Sequence, residues 1–79
     1  MPHFRLTCQA VLAPHAIMEL SQRGVYWARG GPTWADTQRH RHHLRIEAES
    51  EARAIDQARR HVEEATGSDV AEIVVVGSD

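Results

Sequence analysis

The side chains best equipped for chemistry stand together in the run Gln38-Arg39-His40-Arg41-His42-His43. His40 and His42 are two apart, so on an extended strand they share a face, with Cα atoms roughly 7 Å apart. Two imidazoles at that spacing can meet one metal ion. Zinc asks for three or four protein ligands, and the third would have to come from His3, His15, Asp36, His61 or Cys8, among which no spacing selects. Zinc on His40 and His42 is therefore the lesser alternative, and no cofactor is expected. The same run also suits an anion. Arg39 and Arg41, with Arg45 further along, carry guanidinium forks that match phosphate oxygens, and Trp34 could stack on a base. The simplest reading, and the one preferred to both, is a solvated strand end and loop rim.

The other reactive groups are weaker candidates. Cys8 could be a nucleophile with a histidine as base, but it stands in an apolar alternation beside Leu6 and Ala10, where a buried structural cysteine is the commoner case. Glu47, Glu49 and Glu51 are paired acids by sequence alone, with no pocket to argue around them. The catalytic set is therefore empty, and the expectation leans away from an enzyme.

Aromatic residues give a different signal. Trp34 follows the break Gly30-Gly31-Pro32 in a polar segment, where a large ring has little to do unless it folds back or meets a partner; such anchors dominate protein–protein binding energies. Trp27 is expected in the core and Tyr26 on the opposite, open face.

These groups need elements to position them. Leu44, Ile46 and Ala48 alternate with Arg45, Glu47 and Glu49, the period-two pattern of a strand with one buried face. Ser50 is a fitting N-cap with Glu51 just inside. Ile55, Ala58, Val62 and Ala65 recur at helical spacing, and Gly67 ends the helix. A turn at Ser68 and Asp69 leads to a β-branched strand over Ala71 to Val76, with Gly77-Ser78-Asp79 a loose tail. Before this core, His3 to Leu12 alternates as a first strand. Pro14 opens a helix of roughly ten residues that Gly24 ends. Val25 to Arg29 is a short strand, and Thr33 to Arg39 reads as a loop. The order strand, helix, strand, strand, helix, strand predicts a ferredoxin-like βαββαβ sandwich, α+β, with two helices on one face of a four-stranded antiparallel sheet. The alternative drops the first helix, turning the first part into a β-hairpin followed by β-α-β.

Length and composition set the bounds. The 79 residues suit one domain, residues 1–79. At this size a single core supplies roughly 3–5 kcal/mol, so a homodimer is an expected supplement. All nine basic side chains are arginine, and there are six histidines, which makes the chain histidine-rich. Net charge is −2, divided as +4 over residues 1–46 and −6 over residues 47–79. That division disfavours a uniformly basic nucleic-acid binder. A lone cysteine excludes an internal disulfide framework. No apolar run is long enough to span a membrane, and Met1-Pro2-His3-Phe4-Arg5 lacks the apolar stretch of a signal peptide. The expected setting is the cytoplasm.

In a two-layer sandwich one sheet face stays uncovered. On it should lie Arg5, Thr7, Gln9 and Val11, then His43, Arg45 and Glu47, and, with Glu72 outward, Val74 and Val76. An apolar patch of that kind marks an interaction surface. The expected function is therefore a non-catalytic protein-interaction module (adaptor, inhibitor or dimeric regulator). It would bind its partner through Tyr26, Trp34, Arg39, Arg41, His43, Arg45, Val74 and Val76. The alternatives are a small dimeric, cofactor-independent enzyme or ligand binder, with His43, Arg45, Tyr26 and Gln9 lining a cavity between paired sheets, and the histidine metal site.

Overall fold

The computed structural model describes residues 2–68 and 72–78. Its elements run β1 (His3–Gln9), α1 (Pro14–Gln22), β2 (Tyr26–Trp27), a five-residue 3₁₀ helix (Trp34–Gln38), β3 (Arg41–Glu47), α2 (Glu51–Thr66) and β4 (Glu72–Ser78). The sheet is antiparallel in the order β2-β3-β1-β4, with both helices on one side. This is the ferredoxin-like α+β arrangement expected from the element order.

The helices form where local chemistry satisfies their ends. Ser50 Oγ accepts from the Arg53 amide at 3.3 Å, capping α2. Gly67 closes it at φ 74°, a left-handed turn that costs glycine nothing, and its amide donates to the Glu63 carbonyl at 2.7 Å. α1 has no side-chain cap; Pro14 supplies its first position, where no amide is needed.

The interior is built by the predicted alternation. Phe4, Leu6, Cys8, Leu44, Ile46 and Ile73 meet Ile17 and Leu20 of α1 and Ala54, Ala58, Val62 and Ala65 of α2. Ile55 is only half-buried, and Ala54 takes the place expected of it. Small alanines on α2 let the helix sit close to the sheet.

Several boundaries differ from expectation. β1 stops at Gln9, and β2 spans two residues rather than five. The segment read as a loop contains the 3₁₀ helix, because Thr33 and Asp36 form a reciprocal capping box at its start. Gly77 and Ser78 belong to β4 rather than to a tail, since Phe4 and Arg5 pair with them. Ala71, Asp69 and Asp79, assigned above to strand, turn and tail, lie outside the described residues.

The pairing between β1 and β4 slips between Arg5 and Leu6, so Val76 bulges opposite β1. Arg5 lies over Gly77: a Cβ added there would stand 2.7 Å from its Nη2. The register also ties the two outermost ends of the fold together, with Phe4 opposite Ser78.

Candidate functional site

Two surfaces emerge from this scaffold, one at each edge of the sheet. The first is the open face with the β4 edge. Glu72, Val74 and Val76 are exposed, Val76 by 56%, and among the described residues β4 has a strand on one side only. The pairing registers line up Trp27, His43, Thr7 and Val74 as one row across all four strands. Arg41, Gln9 and Glu72 form the adjacent row. His43, Arg45, Val74 and Val76 thus lie on the open face as expected.

The aromatic pair on β2 is reversed. Trp27 is 50% exposed, while Tyr26 packs against the core. Tyr26 pairs with Leu44 and Trp27 with His43, and β3 fixes Leu44 as the inward residue, so register decides the matter. Tyr26 is therefore absent from the open face on which partner contact was expected, and from any cavity between paired sheets. Trp27 stands there instead, its ring 6.1 Å from that of His43 and inclined at 79°.

The second surface is a cleft of about 450 Å³ between the β2–β3 edge and the loop that carries the 3₁₀ helix. Tyr26 and His42 lie at its base, Trp27 and His43 along one wall, and Arg29, Arg39 and Arg41 at its rim. The base is a polar cluster. Tyr26 Oη and His42 Nδ1 are 2.8 Å apart. Asp36, 8% exposed, accepts from the Thr33 amide at 2.6 Å and faces Arg39 Nε at 3.7 Å.

Burial governs the protons of this cluster. The His42 ring is 1% exposed. Desolvation pushes its pKa below the ordinary histidine value, outweighing the backbone of Arg39 and Ala10, which favours the proton. Among the described residues no acceptor meets hydrogen-bond geometry at His42 Nε2. Burial, then the Asp36 charge, raises the Tyr26 hydroxyl to about 12. At neutral pH the pair is thus an uncharged phenol beside an uncharged imidazole. Cys8 pairs with His42 across β1 and β3, its thiol raised by burial to about 11, which keeps it protonated and weakly nucleophilic.

The two histidines proposed for zinc separate. His42 points inward with Leu44 and Ile46, whereas His40 is exposed in a bend before β3, and its carbonyl accepts from the Ala10 amide. Among the described residues, no three His, Cys, Asp or Glu side chains converge on a metal position. Trp34 belongs to neither surface. It is 74% exposed and, with Met18, Pro14 and Pro32, borders a shallow apolar groove of about 270 Å³ against α1.

A further polar cluster joins the helices. Arg23 donates to Glu64 at 2.7 Å and to Glu19 at 3.0 Å, and contacts His61 Nδ1 at 3.1 Å. Glu64, which on α2 alone opposes the helix dipole, thereby gains a cation. Its carboxyl is held below the usual range, chiefly by that hydrogen bond. Arg23, Asp36 and Arg29 carried no such signal as isolated residues; only the Thr33…Asp36 spacing marked a capping box.

Among the described residues no helix is long and apolar enough to cross a membrane. Comparisons with family models, with curated proteins and with solved structures return no match to the chain.

Proposed function

We propose that the domain is a non-catalytic interaction module that works as a homodimer joined along β4, in a cytoplasmic setting. The observation that carries this reading is the edge of β4, seven residues long, with no strand on its outer side among the described residues. Such an edge presents backbone amides and carbonyls that another strand matches in register. Val74 and Val76 flank it on the open face. Glu72 is its only charge. In a two-fold antiparallel pairing centred near Val74, Glu72 lies away from its symmetry mate, so like charges do not oppose. The added backbone ladder also supplements the small core of this domain.

Light scattering on a sizing column tests this reading. The native chain at micromolar concentration is expected to elute as a dimer, and Val74→Lys/Val76→Lys as a folded monomer, because edge lysines block strand addition. A native chain that stays monomeric throughout that range overturns the proposal.

Trp34 supports a second contact, with a protein partner. A half-formed groove beside an exposed Trp34 and a 61% exposed Met18 fits an apolar side chain from such a partner. Parallel affinity captures with the native chain and Trp34→Ala check it: a partner held equally by both removes Trp34 from the binding surface.

A further inference from the structure

We propose that the cleft at the β2–β3 edge binds a small aromatic anion, a planar ring carrying a carboxylate or a phosphate. The site lies at the opposite edge of the sheet from β4, so it stands independently of the dimer.

Three features define the ligand. The first is charge. Arg29, Arg39 and Arg41 face one acid, Asp36, for a net of +2 along the lining. Of these three arginines, Arg39 is the one paired with Asp36. Arg29 and Arg41 have no ion-pair partner among the described residues. Two uncommitted guanidinium groups at one rim select an anion and can fork onto its oxygens.

The second feature is shape. The Trp27 and His43 rings meet at 79°, forming a corner. A planar ring entering that corner stacks on one and meets the other edge-on, the two favourable aromatic arrangements. Trp27 is half exposed and so retains free ring surface to cover. An inorganic anion would leave this wall unused.

The third is the base. The Tyr26 hydroxyl sits beside a fully buried imidazole and lines the cleft. It supplies a neutral polar contact at the inner end, while the arginines hold the charged end near solvent. The cleft volume, about 450 Å³, falls within the range of small-ligand sites, roughly 300–1,000 Å³. A nucleotide base with its phosphate and an aromatic carboxylate share this chemistry, and the experiment separates them.

The test uses Trp34→Phe, which leaves Trp27 as the sole tryptophan of the two, so its fluorescence reports the cleft. Adenosine monophosphate and naphthoate are titrated separately, with inorganic phosphate and adenosine as controls. One of the two aromatic anions is expected to give a saturable change that its controls do not. Saturation by the nucleotide assigns a phosphate ligand, and saturation by naphthoate assigns a carboxylate. Arg29→Ala/Arg41→Ala should weaken that binding roughly tenfold or more, as loss of charged hydrogen bonds requires. Amide shifts in the 26–43 segment of Trp27→Leu give a second readout, with the same weakening expected. Saturation by neither anion, affinity unchanged in the double arginine variant, or phosphate binding as tightly as the nucleotide would each overturn the site.

Discussion

The two edges of this sheet meet the same backbone problem in opposite ways. At one edge, β2 is two residues long, and the chain then leaves the sheet through a glycine-rich turn into the 3₁₀ helix. Arginines and aromatic rings crowd the space beside it. At the other, β4 runs for seven residues with valines on its open face and a single acid. Its bulge at Val76 is the one local interruption. Natural sheets shorten, charge or cover an edge to prevent strand addition. Here the β2 edge is shortened and charged, which suits the small ligand proposed for it. The β4 edge is left long and apolar, which suits the second strand proposed for it.

Mutation can break this contrast. The largest effect belongs to the interior that both edges share. Leu44, 1% exposed, pairs with Tyr26 beneath the short edge. Leu44→Ala should cost about 2–5 kcal/mol in urea unfolding, whereas Val74→Ala in the dissociated chain should stay within about 0.5 kcal/mol. Equal costs would mean that β4 is covered and the contrast unfounded.

The next effect sharpens the contrast at the β2 edge. Tyr26→Phe removes the hydroxyl that meets His42 Nδ1 and leaves that buried nitrogen without its side-chain partner. A loss of about 1–3 kcal/mol is expected in thermal or urea unfolding. No loss would show the Tyr26–His42 contact to be dispensable.

A pH dependence follows from the same pair. Burial lowers the His42 pKa from its ordinary 6.5, so between the two values the unfolded chain binds more protons than the native one. Stability is fully present above pH 6.5 and is lost as pH falls through the lower, folded value. His61 shifts the same way, from burial and then the Arg23 charge. The urea midpoint should therefore drop between pH 7 and pH 5, less steeply in His42→Leu. A slope that His42→Leu leaves untouched would assign the effect elsewhere.

The smallest effect lies away from both edges. Arg23→Ala breaks an exposed bridge between α1 and α2, and should lower the urea midpoint only slightly, the more so in low salt. A larger, salt-insensitive loss would make Arg23 a packing residue instead.

Much of the architecture was legible because its signals are local. Ser50, the 58-62-65 stripe and Gly67 each dictate α2 within a few residues, and alternation dictates β1 and β3. The open-face positions of His43, Arg45, Val74 and Val76 follow from that alternation. What failed depended on register or distance. Tyr26 and Trp27 are both large and apolar enough for either face, and only pairing with Leu44 and His43 decides between them. His40 and His42 looked like a pair because a strand was assumed to reach His40; β3 begins one residue later. The cleft was not legible at all. It joins Arg29, Asp36 and Arg41 across a loop whose path no periodicity describes.

The neighbouring placement of Phe4 and Ser78 has a practical outcome. Since β1 begins beside the last residue of β4, a short peptide bridging those positions could close residues 4–78 into a ring without moving either strand. Fresh ends could then be opened at Gly30–Gly31, beside the cleft. The domain could likewise be spliced into a surface loop of a host protein, spreading that loop by little more than one inter-strand spacing, about 5 Å.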